Sequence, residues 1–487
     1  MNTILWQPWA AIGVLAVSAL MVWLGGEKNH KTGSALSLCS LTAAFVILVT
    51  LVKSVLAGER LGATLDMLPP FGLSIQIDLL SLSLALLFLF CGAVLALYTA
   101  TYPLKQGYRR FKAIFLFILA CATGVVLAGD LLTLFLFFEA MSLSFFLLVI
   151  HHRTREAVAA TMKFLYMTVG GSVLYFMALA VVFVQSQNFS WQDGGFMTAG
   201  AYTSLAFVGF AIAFGMKAGM FPLHLWMADV YGQAPPPAVA LSSMIMLKTG
   251  AYGMIRIFHQ VFGVELIREQ GWHVVILVLA IISIIYGSLC AFAERDLPRR
   301  LAYSGIAQLG YILFGISLLT SEALIGGVYH IMGHAMMKGT LLLCAGAILA
   351  KTGKRKIADL AGIGWQMPLT MSCFSFAALT AVGLPPMNIF ISKWYLSLGA
   401  LVNEQPLLIL ILLLSSVMNA AYYLPIAFTA FFGERNRDLH ASLLWDRLPL
   451  GMWVSMLLLA IGSVAFGLGA ENVPLNWAQN IAAAFFN

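Results

Sequence analysis

The chain has 487 residues, of which 61% are hydrophobic and only 10% charged, and its formal net charge is +7. A soluble domain of this length carries more charge, so the composition excludes an ordinary soluble globular protein. The basic residues are scattered among short segments, which argues against a nucleic-acid partner.

Apolar runs long enough to cross a bilayer recur along the whole chain. A membrane-spanning helix needs about 20 mostly apolar residues. Reading from one polar break to the next predicts spans at 4–24, 34–56, 75–100, 112–129, 130–150, 158–184, 203–230, 237–260, 272–293, 300–319, 322–350, 368–400, 407–432 and 449–468. The sequence therefore predicts an all-α polytopic membrane protein with about fourteen transmembrane helices.

The cysteines and the distribution of basic residues add two expectations. The six cysteines lie in or beside apolar spans without CxxC spacing, so we expect no disulfide, no iron–sulfur cluster and no other cofactor in this chain. Of the 27 basic residues, eighteen lie in loops after odd-numbered spans and four (Lys53, Arg60, Arg256 and Arg268) on the opposite side. Because cytoplasmic loops are rich in Lys and Arg, we expect an inner-membrane protein with both termini outside the cytoplasm.

The remaining five basic residues lie inside apolar spans, and Glu139 is the one acid at comparable depth. The five are Lys163, Lys217, Lys248, Lys338 and Lys393. An ionisable group at mid-bilayer costs roughly 2.5–3.5 kcal/mol on insertion scales, so these side chains should face the bundle interior, water or one another. For Lys163, near the inner end of its span, snorkelling to the headgroups is an equal alternative. A structural ion pair is the alternative for Glu139 and Lys217.

The stretch "YHIMGHAMMKGTLLLC" adds His330 and His334 to this set, with Lys338 following at the same spacing. Positions i, i+4 and i+8 project into one sector of a helix. Two histidines at this spacing could clamp a metal or be satisfied core residues, but HIMGH lacks the glutamate of HExxH. Burial penalises a charged lysine and a nearby carboxylate favours it, so buried titratable groups can load and release protons. We favour a proton path and expect no metal.

Two spans carry a proline break beside a buried lysine. Pro222 lies close to Lys217 in the seventh span, and Pro385 and Pro386 lie near Lys393 in the twelfth. The two spans run in opposite directions, and interrupted segments at matching places in inverted halves indicate an ion site in a transporter. We therefore predict that helices 7 and 12 are broken and that the breaks hydrate the lysines.

Five stretches together resemble a known family over roughly residues 75–433. They are "FFEAMSLSFFLLV", "GMKAGMFPLHLWMADVYGQAPPPAVALSSMIMLKTGAYG", "ERDLPRRLAYSGIAQLGYILFG", "HIMGHAMMKGTLLL" and "GLPPMNIFISKW". The sequence is similar to the antiporter-like proton-translocating membrane subunits shared by Mrp cation/proton antiporters, respiratory complex I (NADH:quinone oxidoreductase) and energy-converting membrane-bound hydrogenases. Lysine at position 393 suits the D-type Mrp subunits, and Ala228 before Asp229 departs from the usual Pro-Asp.

The resemblance implies an architecture of two inverted five-helix repeats. They would occupy 106–260 (helices 4–8) and 261–433 (helices 9–13), after N-terminal helices in 1–105 and before a loop and helix 14 in 434–487. It also implies partner subunits in a hetero-oligomeric complex, homologous antiporter-like subunits among them, and transport of H⁺, with exchange for Na⁺ left open.

The resemblance also implies a role for each buried group. Lys217 would be the centre of the inner half-channel and Glu139 its modulating partner. Lys248 and the 330–338 group would connect Lys217 laterally to Lys393, from which protons leave outward.

Two other functions compete with an ion-translocating subunit. A stand-alone secondary transporter of a small solute needs a polar pocket of substrate size, whereas the deep polar groups here are mostly titratable and spread over six helices. A membrane anchor for haem or quinone should show opposed histidines or cluster cysteines, and two histidines at i and i+4 cannot ligate opposite faces of one iron.

Overall fold

The computed structural model describes residues 6–25, 30–68, 71–104, 107–433 and 446–486. The first two residues of predicted span 1 lie outside the described residues. So do the predicted boundary at 105/106 and most of the predicted loop that begins at 434.

The described residues form twenty α-helices, several short 3₁₀ and π segments, and one two-stranded antiparallel sheet. The N-terminal part contains α1 (Gln7–Leu24), α2 (His30–Val49), α3 (Val52–Leu56), β1 (Leu61–Leu68), β2 (Phe71–Ile77) and α4 (Leu79–Thr101). The next part contains α5 (Tyr108–Leu127), α6 (Leu131–Val149), α7 (Arg155–Ser186), α8 (Thr203–Ala218), α9 (Met227–Gln233), α10 (Pro236–Leu241), α11 (Leu247–Arg256) and α12 (Val264–Glu269). The last part contains α13 (Trp272–Ala293), α14 (Leu297–Ser317), α15 (Ser321–Thr352), α16 (Pro368–Val382), α17 (Asn388–Val402), α18 (Leu407–Phe432), α19 (Leu450–Leu468) and α20 (Pro474–Phe486).

Eleven helical segments in the described part of the chain are long and apolar enough to cross a membrane. This confirms the polytopic all-α class, while the number fourteen stays a prediction. The predicted spans at 203–230 and 368–400 contain shorter apolar helices, and α14 begins with Arg299 and Arg300 in its first turn.

Predicted span 3 begins too early, because its first residues form a strand. Leu73, Ile75 and Ile77 alternate with Ser74 and Gln76, the period of two that favours a strand. Strand β2 pairs with β1 from Leu61↔Ile77 to Leu68↔Phe71. The helix begins only after Asp78, whose carboxylate accepts from the Ser81 N–H at 2.9 Å in a capping box.

Helix α20 is absent from the predicted spans. Its 13 residues are too few to cross a bilayer, so no apolar run marks it. It packs on the body of the bundle through Phe485 and Phe486, whose ring centroids lie 4.8 and 5.3 Å from that of His259.

Helix α15 is the buried centre of the second half. Every residue from Ala323 to Ile348 is buried. Small residues let α17 approach it closely: a Cβ on Gly326 would lie 2.8 Å from the Leu396 amide nitrogen, and one on Gly399 would lie 2.5 Å from Ala323 Cβ. This close packing brings the side chains of α15 and α17 within hydrogen-bonding reach.

Both predicted breaks are present in the structure. Helix α8 ends at Ala218, and Gly219 turns the chain with φ of 71° before α9 begins at Met227. Helix α16 ends at Val382, and Gly383 does the same with φ of 88° before α17 begins. Glycine is the residue suited to a positive φ, so each break is encoded by glycine together with proline.

Candidate functional site

Lys248 and His334 form the first contact of a buried polar chain. Lys248 follows a π-helical segment (Ser242–Met246) and donates to the Ser243 carbonyl within it. Its Nζ lies 2.9 Å from Nδ1 of His334. Both side chains are fully buried. The side-chain nitrogens of Lys248 and His334 share one hydrogen bond here, and which of them donates depends on the histidine tautomer, so a proton can lie on either partner.

His334 leads to His330, one turn earlier on α15. The two rings stack with centroids 5.9 Å apart. His330 Nδ1 lies 2.8 Å from Ser392 Oγ, and its Nε2 lies 3.2 Å from Gln308 Oε1. Ser392 Oγ also lies 2.9 Å from the Ile389 carbonyl, so this hydroxyl can turn to donate there or to His330. Because the Gln308 amide oxygen only accepts, a neutral His330 carries its proton on Nε2 and can accept from Ser392 at Nδ1.

Lys393 lies at the far end of this chain, beside the second break. Its ammonium donates to the Val382 carbonyl at 2.9 Å and to Ser416 Oγ at 2.8 Å. Val382 is the last residue of α16, and the freed carbonyls at a helix C-terminus favour a cation. The Tyr311 ring connects the two ends, with its centroid 5.0 Å from Lys393 Nζ and 5.3 Å from the His330 centroid.

Lys338 branches away from the chain, although it shares the spacing of the two histidines. Its ammonium donates to Ser304 Oγ at 2.5 Å and to the Tyr423 hydroxyl at 3.2 Å. Tyr423 in turn donates to Ser304 at 2.9 Å, which closes a triangle between α14, α15 and α18.

Lys217 lies two residues before the first break, fully buried and without a carboxylate contact. Its ammonium donates to Ser142 Oγ at 2.5 Å and faces the rings of Phe138 and Phe164 at 5.1 and 5.3 Å. Glu139 lies one turn from Ser142 on α6 and is half-buried, and its carboxylate interacts with Ser172 and with the Lys217 charge. None of the described ion pairs joins Glu139 to Lys217, so the structural ion pair weighed as the alternative is not formed, and the Ser142 hydroxyl binds the ammonium instead.

Lys163 lies at the periphery and does not join the buried chain. It pairs with Asp229 at 2.8 Å, and its side chain is 42% exposed. Asp229 also binds Arg299 at 3.1 Å, and Arg299 binds Glu294 at 3.0 Å. Partial burial alone would raise the pKa of Glu294, but the N–H groups of the next two residues and Arg299 together hold its pKa below the usual value.

The count of basic residues assigned Arg256 to the side opposite the basic loops, although residue 256 lies within the predicted span at 237–260; the structure also places it inside a helical segment, Pro236–Val261. Arg256 ends α11, is 1% exposed, and binds Asp78 in a bidentate pair at 2.6 and 2.9 Å. The segment ends one residue beyond the predicted span, so Arg256 is a buried residue of the bundle and not a loop residue. The strong bias toward the other side is unchanged.

Sequence reasoning missed the polar residues that connect the titratable groups: Ser142, Gln308, Tyr311, Ser392 and Ser416. Gln308 left a signal as an isolated amide in an apolar span. A serine or tyrosine in such a span is too common to mark a site. Within the described ranges, no group of three or more His, Cys, Asp or Glu residues could hold a metal ion.

Comparisons with known proteins agree with this architecture. The family described as "NADH:quinone oxidoreductase/Mrp antiporter, TM" matches residues 128–419. The chain is 33% identical over 434 residues to the N subunit of the NADH-quinone oxidoreductase of Desulforudis audaxviator, covering 84% of this chain and 85% of that one. It is 29% identical to the D subunit of the Na(+)/H(+) antiporter of Alkalihalophilus pseudofirmus, covering 75% of each.

The fold is also found among solved structures. A chain in the structure of the Mrp complex from Dietzia sp. superposes with a TM-score of 0.88 at 20% identity, covering 100% of this chain and 98% of that one. The matched family segment includes both broken helices and every residue of the buried polar chain. The chain therefore belongs to the NADH:quinone oxidoreductase/Mrp antiporter transmembrane family.

Proposed function

We propose that this chain translocates protons through the buried polar chain, as an antiporter-like subunit of a multi-subunit membrane complex. The observation that carries the proposal is the direct contact of Lys248 with His334, stacked in turn on His330. Continuous titratable groups in a membrane interior cost insertion energy and are the usual elements of a proton relay. The names of the relatives, one a quinone oxidoreductase subunit and the other a Na⁺/H⁺ antiporter subunit, support the same class.

The first transfer step follows a hydrogen bond, in which Lys248 as ammonium gives its proton to Nδ1 of His334. Nε2 of His334 has no hydrogen-bond partner among the described residues, so its proton would pass to His330 through a bridging water. His330 passes the charge to the Lys393 side through Ser392, whose hydroxyl has two acceptors to choose from. Lys393 holds the charge beside the Val382 carbonyl until it is released outward.

Lys217 and Glu139 would control loading of this chain. In the structure the ammonium is bound to Ser142, close enough to feel the Glu139 charge but not paired with it. A charged Glu139 favours protonated Lys217, and removal of that influence in a dry site favours its deprotonation. Lys338 would modulate the middle of the relay through its charge, and Lys163 would act only as a structural pair at the inner end.

The basic loops support an orientation in the membrane, and the relatives support a set of partners. We propose that both termini lie on the non-cytoplasmic side of the plasma membrane, because the loops at the opposite end hold most of the basic residues. The partners would be other membrane subunits, homologous antiporter-like chains among them, and coupling would be to cation exchange or to redox chemistry elsewhere in the complex. The lysine chain carries H⁺ and offers no oxygen cage for Na⁺.

The two histidines would serve the relay without a metal ion. Histidines at i and i+4 can ligate one metal ion, so the expectation that no metal is bound needs a direct test. Elemental analysis of the purified complex, compared with a His330→Ala/His334→Ala variant, should find no stoichiometric metal that the variant loses.

The substitution His334→Gln tests the proposal in the assembled complex reconstituted into vesicles. Glutamine keeps the size and a hydrogen bond to Lys248 but cannot titrate, so we expect proton translocation to fall at least about tenfold. The matched control is His273→Gln near the start of α13, where the imidazole bonds the Ile267 carbonyl at 3.3 Å outside the chain. Translocation at the wild-type rate in an assembled His334→Gln complex would remove the relay from the mechanism.

A further inference from the structure

A cavity of about 590 Å³ opens at the end of the bundle that carries most of the basic loops. Its rim comes from five chain segments, represented by Leu104, His152, Gln233, Pro298 and Arg355. Along α15 it reaches from Gly353 to Leu342, which at 1.5 Å per residue is about 16 Å into the membrane. This is deep enough to bring water from the basic end close to the middle of the bundle.

Tyr231 is the polar residue at the inner wall of this cavity. It lies on α9, just after the first broken helix, and is 2% exposed. Many of the other lining residues are apolar, Val239, Ala345 and Leu349 among them. Among the described residues, the Tyr231 hydroxyl has no hydrogen-bond partner of good geometry. Burying a hydroxyl without a partner is costly, so this one is suited to bind water from the cavity.

Two further unpartnered hydroxyls face Tyr231 on the inner side. They belong to Ser242 and Ser243, which are fully buried and likewise make no bond of good geometry to the described parts of the protein. A buried water typically makes about three hydrogen bonds, the number that these three hydroxyls offer.

Ser243 joins this hydroxyl cluster to the relay. Its carbonyl accepts the Lys248 ammonium, while its side chain faces Tyr231. Both serines lie in the π-helical segment, whose wider turn leaves the backbone less regularly bonded than an α-helix does. Tyr231 and the serine pair therefore lie between the cavity and Lys248. A water bound among the three hydroxyls would complete the route, since a backbone carbonyl accepts a hydrogen bond but passes no proton on.

We propose that protons enter the relay from the basic end at Lys248, through this cavity and the Tyr231 hydroxyl, with Tyr231 as a positioning residue for the connecting water. The inference rests on the proposed function and deepens that function by assigning the residue at which protons enter the relay. It differs from uptake at Lys217: neither lysine lines the cavity, but Lys248 is bonded to Ser243, whose hydroxyl faces Tyr231 at the cavity wall.

The same cavity ends one helical turn from Lys338, which is the competing receiver. The lining residue there is the apolar Leu342, and the Lys338 ammonium is already bonded to Ser304 and Tyr423. The polar connection therefore favours Lys248.

The substitution Tyr231→Phe removes the hydroxyl with little change in volume. In the reconstituted complex we expect translocation to fall about tenfold at pH 8 and to recover as the pH on the basic side is lowered. The reason is that uptake limited by proton supply is first order in proton concentration, up to tenfold per unit of pH. A purely structural defect would reduce the rate by the same factor at every pH.

Tyr98→Phe is the matched control. Tyr98 is an equally buried tyrosine near the cavity, but its hydroxyl donates to the Leu343 carbonyl at 3.0 Å. We expect less than a twofold change in translocation and an unaltered pH profile in this variant.

A cysteine at position 239 tests the cavity without touching Tyr231. In a Cys39→Ser/Cys290→Ser background, Val239→Cys should be modified by a methanethiosulfonate ammonium reagent applied from the basic end, and translocation should then stop. Full translocation after complete modification would overturn the route.

A Lys248→Gln variant separates failure of this inference from failure of the proposed function. Loss in Lys248→Gln with wild-type rates and pH profile in Tyr231→Phe overturns the uptake route and leaves the relay intact. Wild-type rates in both variants overturn the relay itself.

Discussion

The two broken helices differ in how they hold their lysines. Lys217 precedes the first break and has one hydrogen bond, to Ser142, with two aromatic faces around it. Lys393 follows the second break and has two hydrogen bonds, one of them to the freed Val382 carbonyl, with the Tyr311 face beside it.

This difference indicates different tasks for the two sites. A helix C-terminal carbonyl is a fixed partner that stabilises a cation whatever happens elsewhere. The charge on Lys217 depends instead on Glu139, a titratable group that lies nearby without direct contact. The first site is therefore suited to switching and the second to holding a proton before release.

The largest expected effect comes from Lys217→Arg. Arginine keeps the charge but does not deprotonate in proteins, so a switching site should lose translocation by about 100-fold while the complex still assembles. Lys163→Arg, at the peripheral pair with Asp229, is the control and should leave translocation within about twofold of the wild type. Translocation close to the wild-type rate in Lys217→Arg would make Lys217 a fixed counter-ion and remove the difference between the two sites.

Glu139→Gln should have the next largest effect. The substitution removes the one carboxylate that acts on Lys217 and keeps the size of the side chain, so we expect at least an approximately tenfold loss of translocation with assembly intact. Proton uptake into vesicles that carry the variant measures it, with Glu404→Gln in an exposed turn as the control. An unchanged rate would contradict the proposal that Glu139 controls the charge on Lys217.

The sequence predicted the two breaks and the buried lysines because both leave strong signals. A glycine-proline interruption and a charge in an apolar span are each costly, and they stand out against 61% hydrophobic residues. The contacts between these buried side chains were harder to predict from the sequence. The spacing of His330, His334 and Lys338 put all three on one helix sector, but the choice of partner helix separates Lys338 from the histidines.

Residues that connect the site were not predictable for a physical reason. Ser142 and Ser392 cost little in a helix, because a serine hydroxyl can bond a carbonyl of the preceding turn, as Ser142 does with Phe138 at 2.6 Å. Their role depends on which side chain the neighbouring helix presents. The strand β2 was missed for a related reason, since a short apolar alternation next to a long apolar helix merges with it.

Ser142→Ala sharpens the comparison at the first break. The ammonium of Lys217 loses its one direct hydrogen bond within the described residues, and hydrogen bonds to charged groups contribute roughly 1.5–3 kcal/mol. Water can replace part of this, so we expect an approximately fivefold loss of translocation. Ser144→Ala, two residues further along α6, removes a hydroxyl bonded to its own helix and should leave the rate within about twofold.

Ser416→Ala makes the equivalent change at the second break and should have the smallest effect. Lys393 keeps the Val382 carbonyl at 2.9 Å and the Tyr311 face, so its charge loses only one of three stabilising contacts. We expect translocation within about twofold of the wild type, because the helix C-terminus continues to favour the cation. Parallel proton-uptake assays on the Ser142→Ala and Ser416→Ala complexes measure the difference directly. Equal losses in the two variants would show that the freed carbonyl does not distinguish the sites, and a larger loss at Ser416 would reverse their assignment as switch and holding site.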